Sequence, residues 1–391
     1  MPETPTPLYE LVVNHIRKHG PVTFAWFMDT ALYHPELGYY RQPERKPGRA
    51  GDFITSPELH PFFGNTLARQ VAEAWDALGQ PHNLIVREHG ASSGGLAYDI
   101  MVALSVKAPD VLESLDYRLV DVNTHRLNEA IAAMAEVGFA DHITAEHPDS
   151  LAPEPGLVIA NEVADALPVH RFVVRHGAIR ELLVDVDAEG QLIDREADPN
   201  PDLLDAIEAH FEQHSISLSD GARFEFSSAV AEWGRAVAQS LTQGIAIVID
   251  YGYDAGGLYQ GHLLEGTVRG YYQHTATDNP YLRVGEQDLT AHVDFSWLQT
   301  AMESEGMHSL GLTTQSEYLT RLGLGDWLVE LQQQPDVQYD EYYLAQNATM
   351  RLIDPAGLGR FRVLGLAKGI PSDFRALGFA ERSFADELAE L

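Results

Sequence analysis

Ile85-Val-Arg-Glu-His-Gly-Ala-Ser-Ser-Gly-Gly-Leu-Ala-Tyr-Asp99 is the stretch on which the fold turns. A short apolar run closes on Glu88, passes a small-residue turn with Gly90, Gly94 and Gly95, and opens into a helical pattern. In an open α/β sheet the crevice beyond the carboxyl end of the first strand takes ligands, and glycines there let the backbone approach them closely. A nucleoside cofactor fits this place. The spacing is not the G-x-G-x-x-G of dinucleotide enzymes, and the turn taken alone also suits an ordinary strand-to-helix connection.

Outward from this stretch, Leu96 to Val106 reads as a helix, and Tyr117-Arg-Leu-Val-Asp-Val122 as a second strand ending in Asp121. The result is a βαβ unit with an acid at each strand end. Asp121 suits the two hydroxyls of a ribose, although Asp also caps helices and one begins near Thr124; the pairing with Glu88 favours the ligand. Further strands are expected at 142–145, 157–161 and 245–250, with helices at 124–136 and 227–242. Between the last two strands lies an insertion with a hairpin, Val169 to Leu183, turning at His176-Gly177, and an acidic helix near 201–213.

Downstream of Asp250 the pattern gives a Gly-rich loop at 252–261, helices at Ser296 to Ser304 and 314–333, and a last strand, Phe361 to Ala367, returning to the sheet edge. Upstream, Leu8 to His19 and Phe24 to Leu32 have helical spacing, His34 to Tyr40 is an aromatic turn, and Arg41 to Gly51 is a loop. Ser56 or Thr55 is expected to cap a helix through Phe62, Phe63, Leu67, Val71 and Trp75. The division that follows is an N-terminal helical segment packed on the core (1–80), an α/β core (81–371) with an insertion at 165–245 and cap elements at 252–345, and a loosely attached tail (372–391).

Across 391 residues there are 58 acidic and 26 basic side chains, a net charge of −32, with an ordinary 45% of hydrophobic residues. Tight binding to nucleic acid or an anionic membrane needs a basic surface and is not expected; a cationic partner or a salt-rich habitat is. The absence of cysteine excludes disulfides, zinc thiolate sites and a cysteine nucleophile. The 17 histidines form no metal-ligand spacing, so no metal site is expected. No stretch is long and apolar enough to span a membrane, and the N-terminus resembles no targeting signal, so the expected address is a bacterial-type cytoplasm.

Ala160-Asn-Glu-Val-Ala-Asp-Ala-Leu-Pro-Val-His-Arg-Phe172 brings Asn161, Glu162 and Asp165 to the strand edge that carries Glu88 and Asp121. Ile249-Asp-Tyr-Gly-Tyr253 adds Asp250, so four of five strands deliver an acid to one rim. Asn161 and Glu162 also suit the capping of a following helix, but polar groups gathered in a ligand crevice read better as a site. Further on, Arg269, His274, His292 and Asp294 are dense in directional hydrogen bonding; His292 and Asp294 are candidates to orient a substrate or one another, against the commoner structural role of a lone histidine.

At this point the residues match a family. Gly51-Asp-Phe-Ile-Thr-Ser-Pro-Glu58, Asn161-Glu-Val-Ala-Asp-Ala-Leu-Pro-Val-His170, Ile249 to Tyr253, Asp288-Leu-Thr-Ala-His-Val-Asp-Phe295 and Asp354 to Phe361 resemble, in order, the signature segments of the MidA-like (DUF185) methyltransferases. These are bacterial relatives of the mitochondrial complex I assembly factor that methylates an arginine. The resemblance implies a class I methyltransferase fold, a Rossmann-like doubly wound sheet with an N-terminal helical segment and an inserted side lobe. It also implies S-adenosylmethionine as cofactor and a basic or arginine-bearing protein as acceptor. A homodimer is left open.

The cofactor set so implied is Thr55, Glu88, Gly90, Ser92, Gly94, Asp121 and Asn161. The catalytic set is Glu162, Asp165, Asp250 and His292. One departure stands out. The family's Glu-Leu-Gly-Pro-Gly-x-Gly-Thr-Leu is here Glu88-His-Gly-Ala-Ser-Ser-Gly-Gly-Leu96, with Ser92 at the second glycine. If that position needs a positive φ, the side chain costs on the order of 1 kcal/mol.

Methyl transfer from a sulfonium needs acceptor and methyl held in line. An arginine acceptor also needs carboxylates to pin its planar cation and take a proton, the part assigned to Glu162 and Asp165 with Asp250. Two rival readings are a methyltransferase for a small carboxylate or hydroxyl acceptor, with Arg269, His274 and His292 available to hold an anion, and a non-catalytic assembly protein whose cofactor turn is degenerate at Ser92.

Overall fold

The computed structural model describes residues 5–42, 55–260 and 263–380. Gly51 to Ile54 of the first signature segment, most of the expected loop at 41–51 and the tail residues 381–391 lie outside the described residues. The chain forms two compact units: Ile54–Glu162, Ala236–Asp250 and Met302–Leu391 make one, and Met1–Phe53, Val163–Arg235 and Tyr251–Ala301 the other.

The first unit is built on a seven-stranded sheet. Its strands, labelled along the chain, are β1 (Leu84–His89), β2 (Leu115–Val120), β3 (Ile143–Glu146), β4 (Glu154–Asn161), β5 (Leu241–Asp250), β6 (His308–Thr314) and β7 (Arg362–Lys368). They lie in the order 3-2-1-4-5-7-6. All are parallel except β7, which runs antiparallel to both β5 and β6. β1 is buried along its whole length, which is why it reads as a continuous rather than alternating strand. Its Leu84 and Val86 share a core with Leu157 and Ile159 of β4, Ile245, Ile247 and Ile249 of β5, and apolar residues of the helices Phe62–Ala77 and Gly95–Lys107.

Alternation along β1 turns Arg87 to the opposite face. There it is 1% exposed and donates to Glu146 Oε2 at 2.7 Å and Glu154 Oε2 at 2.6 Å. Arg118 of β2 bonds the same two carboxylates, each at 2.7 Å. The link from β3 to β4 carries only a 3-10 turn, Pro148–Ser150, and this ion cluster ties its two ends to the middle strands.

The tail expected to hang loosely from Ser372 is anchored as far as it is described. The Phe379 ring lies over Gly311 and Gly365, where an added Cβ on Gly365 would sit 2.4 Å from it, and Leu377 N–H donates to Glu73 Oε1 at 2.7 Å. The expected helix at 314–333 is two helices, Gln315–Arg321 and Leu324–Gln332, separated at Gly323, whose φ of +82° favours glycine.

In the second unit, a four-stranded antiparallel sheet has the order Leu192–Ala197, Ala178–Val186, His170–Arg175, Arg223–Phe226, and contains the expected hairpin. A three-stranded sheet, Thr275–Thr277, Arg269–Tyr272 and Asp288–Thr290, lies in the same unit. The helices Pro7–His19 and Phe24–Tyr33 share a core with Ala166, Val169, Val184, Leu192 and Leu289. The expected N-terminal segment 1–80 is thus divided, its first helices belonging with the inserted residues and Phe62–Ala77 with the large sheet. The Gly-rich loop expected from 252 is a two-residue strand, Gly252–Tyr253, and a helix, Ala255–Tyr259. Among the described residues no helix is long and apolar enough to cross a membrane.

Candidate active site

Strands β2, β1, β4 and β5 are neighbours, so Asp121, Glu88, Asn161 with Glu162, and Asp250 line one rim at their carboxyl ends. The chain order reverses between β1 and β4, the switch point at which open α/β sheets bind ligands. From β1 the backbone enters a tight turn with positive φ at Gly90 (69°), Ser92 (49°) and Gly94 (73°). Gly94 precedes the helix Gly95–Lys107, and a Cβ there would stand 3.1 Å from Ala130 Cβ, so both backbone and space require glycine.

Asp121 holds this turn. Its Oδ2 accepts from Ser92 N–H at 3.0 Å and its Oδ1 from Asn123 N–H at 2.8 Å. Helix Thr124–Glu136 is capped by Asn123, whose Oδ1 accepts from Arg126 N–H, so the capping role weighed for Asp121 is filled by its neighbour. A carboxylate has about four lone-pair sites, which leaves Asp121 capacity for further donors. Ser92 does stand at positive φ, the conformation that favours glycine.

Glu88 is buried and accepts from Tyr117 OH at 2.7 Å. Burial pushes its carboxyl up to about 8, opposed by that bond and by the N–H of Ala97, in the first turn of the helix after the glycine turn. The side chain thus fixes the turn from beneath. Asp99, on the same helix, is raised to about 7 by burial. Asn161 Nδ2 donates to Glu162 Oε1 at 3.1 Å, while Asn161 Oδ1 is a buried acceptor with no hydrogen-bond partner among the described residues. Glu162 has φ +54°, an unusual conformation for a non-glycine residue, and its Oε1 also accepts from Ser56 N–H at 3.1 Å. Thr55 caps the short helix Ser56–Leu59, not the longer helix expected, which starts separately at Phe62. Asp250, the last residue of β5, is fully buried.

Asp165 and His292 belong to the second unit. Asp165 sits in the 3-10 turn Ala164–Ala166, where burial raises its carboxyl to about 7 against hydrogen bonds from Tyr251 and from the N–H groups of Ala166 and Asp165 itself. His292 packs edge-on against Tyr251 with ring centroids 5.2 Å apart, and its N–H donates to Thr267 Oγ1 at 3.1 Å. Tyr40 OH donates to the buried Asp288 at 2.8 Å, and Tyr33 OH to Ala166 O at 3.1 Å. Sequence reading did not single out these tyrosines, although the aromatic turn containing Tyr40 was visible.

Asp294 does not pair with His292. Its Oδ2 bonds His210 Nε2 at 2.8 Å, and its Oδ1 accepts from Trp297 N–H at the start of helix Phe295–Glu303.

This strand order, with one reversed strand and an acid-lined switch point, is that of the class I methyltransferase fold. Residues 66–313 match the model of a family described as putative S-adenosyl-L-methionine-dependent methyltransferases, and the chain belongs to that family. It is similar to the mitochondrial protein arginine methyltransferase NDUFAF7 of Bos taurus, at 29% identity over 93% of this chain and 84% of the relative. The human protein of that name is also 29% identical, over 92% of this chain and 83% of its own length. A crystal structure of a likely methyltransferase of the COG1565 superfamily from Burkholderia thailandensis, bound to S-adenosyl-homocysteine, superposes with a TM-score of 0.86. That protein is 31% identical, and the match covers 98% of this chain and 99% of the other.

The cofactor is S-adenosylmethionine, and the rim fits it. An acceptor lacking a donor at Asn161 Oδ1 and the spare lone pairs of a half-buried Asp121 suit a ligand with ribose hydroxyls, an amine and a positive charge.

Proposed function

We propose that the methyl acceptor is an arginine side chain of a protein, presented on a basic segment. Bound S-adenosylmethionine supplies a methyl group activated on a sulfonium; the rest of the chemistry falls to this chain's carboxyls. A guanidinium holds its protons far above neutral pH, so the nitrogen that gains a methyl must lose a proton to a base during or after transfer.

The observation that carries the reading is Asp165, raised by burial to about 7. A carboxyl so poised is inexpensive to bury while neutral, ionises when a cation arrives beside it, and takes up a proton near neutral pH. Glu162 supplies the second carboxylate, pre-oriented by Ser56 N–H and Asn161, and a planar fork is suited to carboxylate pairing. Asp250 adds a further carboxyl at the same rim. His292 acts by positioning the Tyr251 ring that bonds Asp165. The excess of 58 acids over 26 bases favours a basic partner, and the name of the mitochondrial relatives supports an arginine acceptor.

On the cofactor side, Asp121 accepts from the ribose hydroxyls, Asn161 Oδ1 from an N–H donor, and the backbone from Gly90 through Ser92 to Gly94 lines the turn. Glu88 and Thr55 act through the backbone they hold, Glu88 beneath the turn and Thr55 ahead of Ser56 N–H. The test is methyl transfer from labelled S-adenosylmethionine to basic arginine-containing peptides, followed by amino-acid analysis. Methylarginine that disappears with Glu162→Gln and Asp165→Asn supports the assignment; undiminished transfer by Glu162→Gln removes Glu162 from it.

A further inference from the structure

The helix Tyr339–Leu352 buries Ala345, Ala348, Thr349 and Leu352. At 3.6 residues per turn, the line facing directly away from these is Tyr339, Tyr343, Asn347 and Met350. Three of the four are large and apolar, and all three are bare: Tyr339 is 79% exposed, Tyr343 51% and Met350 61%. The two tyrosine rings stack on each other with centroids 6.2 Å apart. Leu344 (65%) flanks the line, and Val329 (52%) is exposed on the preceding helix, Leu324–Gln332. Five of the twelve exposed large hydrophobics among the described residues thus fall between 329 and 350. Scattered single residues need no explanation, but a continuous line of them about 16 Å long marks a contact surface.

The charges at the ends of this line say what covers it. Asp340 and Glu341 lie in the first turn and Arg351 in the last. A uniformly acidic rim would suit a basic protein; this rim is mixed, and it complements itself. When the helix is laid antiparallel on its own copy about an axis near Ala345, Asp340 of each chain meets Arg351 of the other, and the Tyr339–Met350 line of one meets that of the other. We infer that this face is the contact of a symmetric homodimer, the arrangement that twofold symmetry requires to be self-complementary. This inference is independent of the choice of methyl acceptor.

The same charges set its salt dependence. Each copy carries a net −32, which repels the other over distances that salt screens to a Debye length of about 8 Å at 0.15 M. The apolar line is insensitive to that screening. The dimer is therefore tighter at about 0.15 M salt than at about 0.01 M, where the Debye length is roughly 30 Å, whereas a basic partner would show the reverse.

Sedimentation equilibrium of the full chain tests this. Wild type is expected to dimerise, and Tyr343→Asp with Met350→Asp to weaken the dimer by roughly 100-fold. Asp340→Lys and Arg351→Glu each weaken it severalfold, and the two together in one chain restore it. A mixture of the two single variants should also associate more tightly than either alone, because both end contacts are then of opposite sign. Unchanged binding of S-adenosylhomocysteine confirms that each variant is folded. A wild-type chain still monomeric at about 100 μM, where a contact weaker than roughly 5.5 kcal/mol would be missed, overturns the inference. So does a dimer indifferent to the Tyr343 and Met350 changes.

Discussion

The backbone N–H of Ser92 donates to Asp121 Oδ2 at 3.0 Å while Ser92 itself stands at φ +49°. The acid proposed to face the cofactor therefore also holds a side-chain-bearing residue in a conformation natural to glycine. Ser92→Gly should relieve about 1 kcal/mol of that strain, offset in part by the greater freedom of glycine in the unfolded chain. Calorimetric titration with S-adenosylhomocysteine should give affinity equal to or severalfold tighter than wild type. A tenfold loss would mean that the Ser92 hydroxyl is itself a ligand.

Asp121→Ala removes the acceptor for two backbone N–H groups as well as the proposed ribose partner. Charge-assisted hydrogen bonds contribute roughly 1.5–3 kcal/mol each, so cofactor affinity should fall by about 10- to 100-fold or more. Asp121→Asn, which keeps one acceptor oxygen, should lose less. Equal affinity in wild type and Asp121→Ala would exclude the residue from the cofactor site.

Stability should depend on pH through Glu88. Burial raises its carboxyl from 4.5 to about 8, so between those values the native state holds a proton that the unfolded chain has released. Its stabilising share is complete below the unfolded value and is lost as pH rises through about 8. Urea unfolding across this range should show wild type losing stability on the alkaline side and Glu88→Gln losing less. Parallel curves for the two proteins would contradict the assignment.

Turnover should rise through an ionisation near neutral pH. Asp165, raised to about 7, must lose its proton before it can accept one from the arginine. In Asp165→Asn the limb should vanish along with most activity, while Tyr251→Phe, which removes a hydrogen bond that favours the carboxylate, should move it to higher pH. A limb unmoved in both variants would assign the ionisation to another group.

Arg87→Ala would leave Glu146 and Glu154 paired with Arg118 alone and a cavity where the Arg87 side chain was buried, at a cost of roughly 2–5 kcal/mol in denaturant unfolding. Arg87→Met should cost less, because it refills the volume. Identical losses in the two variants would argue that charge and hydrogen bonding, not packing, is what Arg87 contributes.

Local pattern was enough for the strands that hold the site. β1 ends one residue past the expected Glu88, and β2 to β5 lie within a few residues of their expected spans; β1, β4 and β5 are apolar runs that end at a polar rim residue. The hairpin at His176-Gly177 and the helix Pro201–Gln213 were equally plain. What the sequence did not reveal depends on distant partners. β6, His-Ser-Leu-Gly-Leu-Thr-Thr, is a strand only because β7 pairs with it. His210 meets Asp294 across 84 residues, and no spacing rule links them. Glu88 sits at the predicted rim, yet its burial under Tyr117 is a property of packing. Ser92 was legible as a departure, but its left-handed backbone became visible only in the folded turn.

The order 3-2-1-4-5-7-6 also has a consequence for synthesis on the ribosome. β7 lies between β5 and β6, so the open edge of β5 and the whole of β6 have no partner until residue 368 has been made. At roughly 5–20 residues per second, the 118 residues from Asp250 to Lys368 take about 6–24 s. During that interval the nascent chain presents Ile245-Ala-Ile-Val-Ile249, one of its most aggregation-prone segments, as an unfinished sheet edge. Chains truncated before β7 should accumulate as aggregates or chaperone clients, even though every residue of the proposed cofactor rim is already present in them.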